Sequence, residues 1–170
     1  HQISQISLLD NFWPAHPIKH DLILHIQGDI TDTLLIQSII NDQYGLIFHL
    51  AAIVSGEAEK NFDLGMEVNL HANLRLLDMI KKSELKPVIV FAASCAAFGG
   101  EAAKGVIDDF TIPTPQSSYG TQKVITELLI NDYSRRGWLH GRVLRLPTIA
   151  IRPGKANAAT TSFVSGIIRE

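Results

Sequence analysis

The stretch "KPVIVFAAS" (86–94) decides the fold. Once past its lysine and proline, the chain is apolar without a break as far as Ser94. A half-exposed strand alternates apolar with polar residues; a continuous apolar run of this length suits a strand buried on both faces, as in a parallel sheet. "LIFHLAA" (46–52) is a second such run. "ISQISLLD" (3–10), "HDLILHIQGD" (20–29) and "GRVLRLPTIA" (141–150) also read as strands. Between them lie helical patterns. "ITDTLLIQSIINDQ" (30–43) offers Thr31 or Asp32 as its N-cap. "DLGMEVNLHANLRLLDMIKKS" (63–83) is the longest, with Val68, Leu70, Leu74, Leu77 and Ile80 at apolar positions and lysines near its negative end. A helix over 118–136 stops at Gly137. The polar, proline-bearing segment 99–118 reads as loop. Strands alternating with helices predict an α/β fold, a doubly wound parallel sheet with helices on both faces.

Composition narrows the function. The 170 residues suffice for one domain with a real core, and 46% are hydrophobic. A net charge of −2 gives no reason to expect nucleic acid or an anionic membrane as partner. A single cysteine, Cys95, excludes an internal disulfide and fits a reducing, cytoplasmic setting; it reads as a small buried residue rather than a nucleophile. No apolar run approaches the ~20 residues of a membrane helix. Seven histidines include no pair at metal-ligand spacing. His16 and His20 flank Pro17, which opposes a helix there, so both are expected in solvent; His49 is expected to pack within its strand.

In parallel α/β sheets, ligands bind at the carboxyl ends of the strands. Small and polar residues recur there: Asp10-Asn11, Gly28-Asp29-Ile30, Ala51-Ala52, Ser94-Cys95 and Pro147-Thr148. Close by in sequence, "SSYGTQKVITELL" (117–129) places Tyr119 and Lys123 four residues apart on one helix face. A phenol with a pKa near ~10 is a poor base at neutral pH. An adjacent ammonium favours the phenolate. Alone, such a pair is more often two surface residues.

Taken together, "LLDN" (8–11), "GDI" (28–30), "FHLAA" (48–52), "VNLHAN" (68–73), "FAASCAAFGG" (91–100) and "YGTQK" (119–123) resemble the extended short-chain dehydrogenase/reductase family, the NAD-dependent epimerases and dehydratases. The resemblance covers essentially the whole chain. "SSYGTQK", "NDYSRRG", "LRLPTI" and "RPGKANAA" are similar to its sugar-acid dehydrogenases of the D-erythronate dehydrogenase type. It implies a Rossmann-type sheet, NAD as cofactor and a catalytic set of Ser94, Tyr119 and Lys123. Asp10 would hold the adenosine ribose and select against NADP, with Asp29 and Ile30 on the adenine side. Leu50, Ala51 and Ala52 would pass beneath the cofactor, and Asn69, Tyr119, Lys123 and Pro147 would complete its site. Ser94, Arg152 and Asn157 would meet the substrate. The family also implies a homodimer through helices 63–83 and 118–136.

Several of these residues keep a plainer reading. Ser94 could cap its own backbone, Asp10 and Asp29 could form turns, Asn69 could be an ordinary helix residue and Arg152 an exposed loop residue. "VNLHAN" departs from the family's Val-Asn-x-x-Gly-Thr at Ala72 and Asn73. The family's Gly-rich turn, with its strand and helix, is absent from this chain. Strands 3–10 and 46–52 are therefore expected to flank a gap. The organisation expected is a partial NAD-binding Rossmann domain over 1–150 and the start of a truncated substrate-binding region over 151–170, the protein continuing on both sides. The leading function is oxidation of a CH–OH group of a small sugar acid. A nucleotide-sugar 4-epimerase and a non-catalytic NAD-binding scaffold are the alternatives.

Overall fold

The computed structural model describes residues 3–13 and 15–148. Five parallel strands form two sheets: β1 (Ile6–Asp10) with β2 (Ile23–Gln27), and β3 (Leu46–His49), β4 (Val88–Ser94) and β5 (His140–Leu146) in that spatial order. Helix α1 (Thr33–Asn41) joins β2 to β3. Helices α2 (Ser55–Lys60), α3 (Phe62–Met66) and α4 (Ala72–Ser83) lie between β3 and β4, and α5 (Ser118–Arg135) links β4 to β5. The expected strands are all present: β1 and β4 begin later than expected, β2 is shorter at both ends, β3 stops at His49, and β5 runs from His140 to Leu146 among the described residues. Asp32, not Thr31, caps α1, accepting from the amides of Leu34 and Leu35.

One hydrophobic core joins the two sheets. Ile89 and Phe91 of β4 are fully buried against Leu77 and Ile80 of α4 and Ile130 of α5. Ile36 and Ile40 of α1 enter the same cluster, and Leu9 of β1 and Ile47 of β3 pack on it. Burial on this scale, at ~1.5–3 kcal/mol for each large apolar side chain, holds the helices on this face. The opposite face differs. Ile6, Leu8, Leu46, Phe48 and Leu50 alternate along β1 and β3 and stay exposed. The sequence pattern asks for helices on both faces; among the described residues, α1, α4 and α5 cover one. Among those residues too, no ladder joins β1 to β3, which is the expected gap.

The segment 63–83 is not one regular helix. Between α3 and α4 the chain widens into a π-helical turn, Glu67–His71. The wider turn keeps three consecutive residues, Val68, Asn69 and Leu70, on the buried side. Helix α2 carries the sequence "SGEAEK", whose one buried residue, Ala58, leaves no apolar period to read.

Candidate active site

Helix α5 begins beside the end of β4, and local chemistry fixes that junction. The Ser117 hydroxyl accepts from the Gly120 amide at 3.1 Å and caps the helix. Glu59 of α2 accepts from the Ser118 amide at 2.5 Å. Gly120 is demanded by space: a Cβ there would lie 2.3 Å from the carbonyl oxygen of Ala96. The first turn of α5 thus rests directly on the 3₁₀ turn Cys95–Ala97 that follows Ser94.

On this helix Tyr119 is half-buried and Lys123 is buried. The Lys123 ammonium lies 5.6 Å from the centre of the Tyr119 ring, so the pair shares a face as its spacing predicts. Lys123 Nζ donates to the Ala92 carbonyl at 2.8 Å and sits 4.6 Å over the Phe91 ring. Burial pushes its pKa down to about 8, which leaves it charged at neutral pH. Ser94, the last residue of β4, accepts from the Ala96 amide at 3.1 Å and keeps its hydroxyl proton to donate elsewhere. The backbone-capping reading of Ser94 is therefore correct and compatible with a second role. Cys95 is exposed on the same turn, contrary to the buried residue expected, because the 3₁₀ turn points it away from the core.

Beneath this group runs a buried polar network. Asn69 Oδ1 accepts from the Ile53 amide at 2.8 Å. Its Nδ2 donates to the Ile53 carbonyl at 3.1 Å and to Gln122 Oε1 at 2.8 Å. The Asn69 amide is thus committed to the loop after β3, the loop that carries Leu50, Ala51 and Ala52. Asn73, where the family pattern has threonine, bonds His49 Nε2 through Oδ1 and donates through Nδ2 to the Asn69 carbonyl at 2.7 Å. Burial pushes the His49 pKa down to about 4, so the imidazole is neutral and Nε2 carries the donated proton. Gln122 Nε2 is the one buried side-chain nitrogen without a hydrogen-bond partner among the described residues.

The β1–β2 half brings its acids to the same ends of the strands, but in the open. Asp10 ends β1, is exposed and accepts from the Phe12 amide at 3.0 Å. Asp29 accepts from the amide and hydroxyl of Thr31, at 2.8 and 2.7 Å, and these bonds hold its carboxyl below the usual range. Ile30 packs on the core and Pro147 is exposed just past β5. Arg152 and Asn157 fall outside the described residues. His16 and His20 are exposed and His49 is buried, as expected.

Gly120 and Gln122 adjoin this group and do not stand out in the sequence, and Asn73 shows there only as a departure from the family pattern. The signal that could have found Gln122 and Asn73 is polar residues at buried positions of otherwise apolar helix faces. As for NAD, the acid at β1, the small residues after β3 and the Ser-Tyr-Lys group fit its two ends. No Gly-rich cradle for its pyrophosphate is present among the described residues.

A model of a family described as "NAD dependent epimerase/dehydratase family" matches residues 6–170. Over 99% of its length the chain is 49% identical to a D-erythronate dehydrogenase of Cupriavidus necator and 45% identical to one of Haemophilus influenzae. It covers 51% and 53% of those proteins, so it spans about half the length of the curated relatives it matches. It also superimposes with a TM-score of 0.90 on the crystal structure of a nucleoside-diphosphate-sugar epimerase from Agrobacterium tumefaciens. That match is 43% identical and covers 98% of this chain and 50% of the other. No helix among the described residues is long and apolar enough to cross a membrane.

Proposed function

Because the chain belongs to the NAD dependent epimerase/dehydratase family, we propose that it carries the catalytic group of an NAD-dependent dehydrogenase that oxidises the CH–OH of a small sugar acid such as D-erythronate. The observation that carries this reading is the buried Lys123 ammonium 5.6 Å from the Tyr119 ring, on a helix seated against the Ser94 turn. NAD, when bound, supplies the hydride acceptor. The chain's own residues manage the proton. Ser94 Oγ donates a hydrogen bond to the substrate hydroxyl oxygen and holds it beside Tyr119. The Lys123 charge favours the phenolate, and Tyr119 Oη takes the hydroxyl proton as the carbonyl forms. In the reverse direction Tyr119 Oη returns that proton to an alkoxide.

Asp10 is assigned to the adenosine ribose, Asp29 and Ile30 to the adenine side, and Leu50–Ala52 and Pro147 to the cofactor's flanks. Arg152 is assigned to the substrate carboxylate, for which an arginine offers two parallel donors, and Asn157 to the substrate. Homodimerisation through segments 63–83 and 118–136 is part of the proposal. Leu74, Ile125 and Leu128 are exposed on those helices, and such apolar surface calls for a partner. Light scattering of the complete protein tests this part: a monomer mass at micromolar concentration rejects the dimer.

The test of the reaction is NADH formation by the complete protein with four-carbon sugar acids. The similarity to a nucleoside-diphosphate-sugar epimerase favours a second reading, in which hydride leaves and returns to the same sugar carbon. Interconversion of nucleotide-sugars without net NADH would establish it in place of the first.

A further inference from the structure

Tyr119 and Lys123 mark a face of α5 that continues one turn further, to Glu127. Glu127 is buried, with only 8% of its surface exposed. A carboxylate there needs a partner, and it has one on a different element. Arg145 of β5 donates through Nε to Glu127 Oε2 at 3.0 Å and through Nη2 to Oε1, a two-point grip. The other side of that guanidinium is occupied too: its centre lies 4.9 Å from the Phe98 ring. Phe98 closes the turn that begins at Ser94, its N–H donating to the Cys95 carbonyl at 3.0 Å. In the β4–β5 ladder Arg145 is paired with Ala93 and Leu146 with Ser94. Carboxylate, guanidinium and ring thus form one chain from the helix of Tyr119 to the turn of Ser94, separate from the Gly120–Ala96 contact.

We propose that Glu127, Arg145 and Phe98 are positioning residues that fix the Ser94 turn against the Tyr119 helix, so that both groups meet one substrate oxygen. Two separate contacts hold the turn. Gly120 admits it closely, and the ion pair with its aromatic cover stops it from swinging away. The inference rests on the proposed dehydrogenase reading for its kinetic consequence, but its geometric consequence is independent of it.

The experiment uses the complete protein and two readouts. One is steady-state oxidation of a four-carbon sugar acid. The other is the reaction rate of Cys95, exposed on the same turn, with a disulfide reagent such as 5,5′-dithiobis(2-nitrobenzoate), read against any other thiols with a Cys95→Ser control. Glu127→Gln and Phe98→Leu are each expected to lower kcat about tenfold, with the dissociation constant of NAD changed less than twofold. Both are expected to raise the Cys95 rate several-fold. Phe98→Leu leaves the ion pair in place, so it separates the turn's position from the fold's stability. The double variant should be little worse than Glu127→Gln alone, since the two residues act through one path. An unchanged Cys95 rate in both variants, or a kcat at the parent's level below the melting temperature, overturns the proposal. A parent protein with no dehydrogenase activity but a faster Cys95 in both variants would reject the dehydrogenase reading and keep the positioning role.

Discussion

The β3–β4–β5 half and the β1–β2 half have the same strand rhythm, yet they hold their polar residues in opposite ways. Around β4, polar groups are buried and, Gln122 Nε2 apart, matched: Lys123 to a carbonyl, Asn69 to Ile53, His49 to Asn73. Around β1 and β2 the acids are exposed, and each folds back on a neighbouring residue. The difference follows from what covers each sheet. Among the described residues, β4 lies between two strands and beneath α4 and α5, whereas β1 has one strand neighbour and contributes only Leu9 to the core. A buried polar group must be satisfied or it costs ~1–3 kcal/mol, so the covered half has little freedom to change. The open half holds its acids at the surface, where a change costs little.

This comparison breaks most readily at Tyr119. Tyr119→Phe removes only the phenol oxygen, and turnover should fall about 10²–10⁴-fold. NAD affinity, followed by fluorescence titration, should be retained. Activity within twofold of the parent would take Tyr119 out of the reaction.

The next effect concerns pH and the covered half alone. His49 is neutral in the fold, with a pKa of about 4 against an ordinary 6.5. Between those values the unfolded chain binds a proton that the folded one refuses, so stability is full above pH 6.5 and falls as the pH drops towards 4. At ~1.4 kcal/mol per pH unit the loss is about 3 kcal/mol. Urea unfolding of the parent and His49→Gln across this window should show a difference that narrows as the pH falls. A constant difference would mean that His49 does not titrate with unfolding.

Gly120→Ala tests the contact between helix and turn. Its new methyl meets the Ala96 carbonyl, and the overpacking should cost about 1–3 kcal/mol, seen as a lower melting temperature. Gly45, where an added methyl would meet nothing within 4 Å, is the matched control and should tolerate alanine.

The smallest effect belongs to the open half. Asp10→Asn should change stability by no more than about 0.5 kcal/mol, because the residue is exposed. It should nevertheless narrow a preference for NAD over NADP, since the carboxylate no longer repels a phosphate. Equal kcat/KM for the two cofactors in the parent would remove Asp10 from that role.

Much of this is legible in the sequence. Continuous apolar runs such as 86–94 reveal buried parallel strands, because a segment that is apolar on both faces has few other homes. The spacing of Tyr119 and Lys123 reveals a shared face, because helix geometry fixes it. The π-helical turn is hidden, since the contact made from it, the Asn69 bond, reaches a residue 16 positions away. Gly120 is hidden for the same reason: the atom that forbids a side chain belongs to another element. Helix α2 has too little apolar surface to show a period. Cys95 misleads because its type suggests burial, while its backbone turn decides otherwise.

The Asn69 side chain has one more consequence. It pairs with both the N–H and the C=O of a single residue, Ile53, as a neighbouring strand would pair with it. In effect it is a peptide unit carried on a side chain, a strand one residue long. The loop beyond β3 therefore keeps a ladder partner where, among the described residues, β3 pairs only with β4. Only asparagine offers a donor and an acceptor at that reach: aspartate lacks the donor, and glutamine overshoots by a methylene. The path of the backbone past Ala51 and Ala52 is thus written into position 69, not into the loop's own residues.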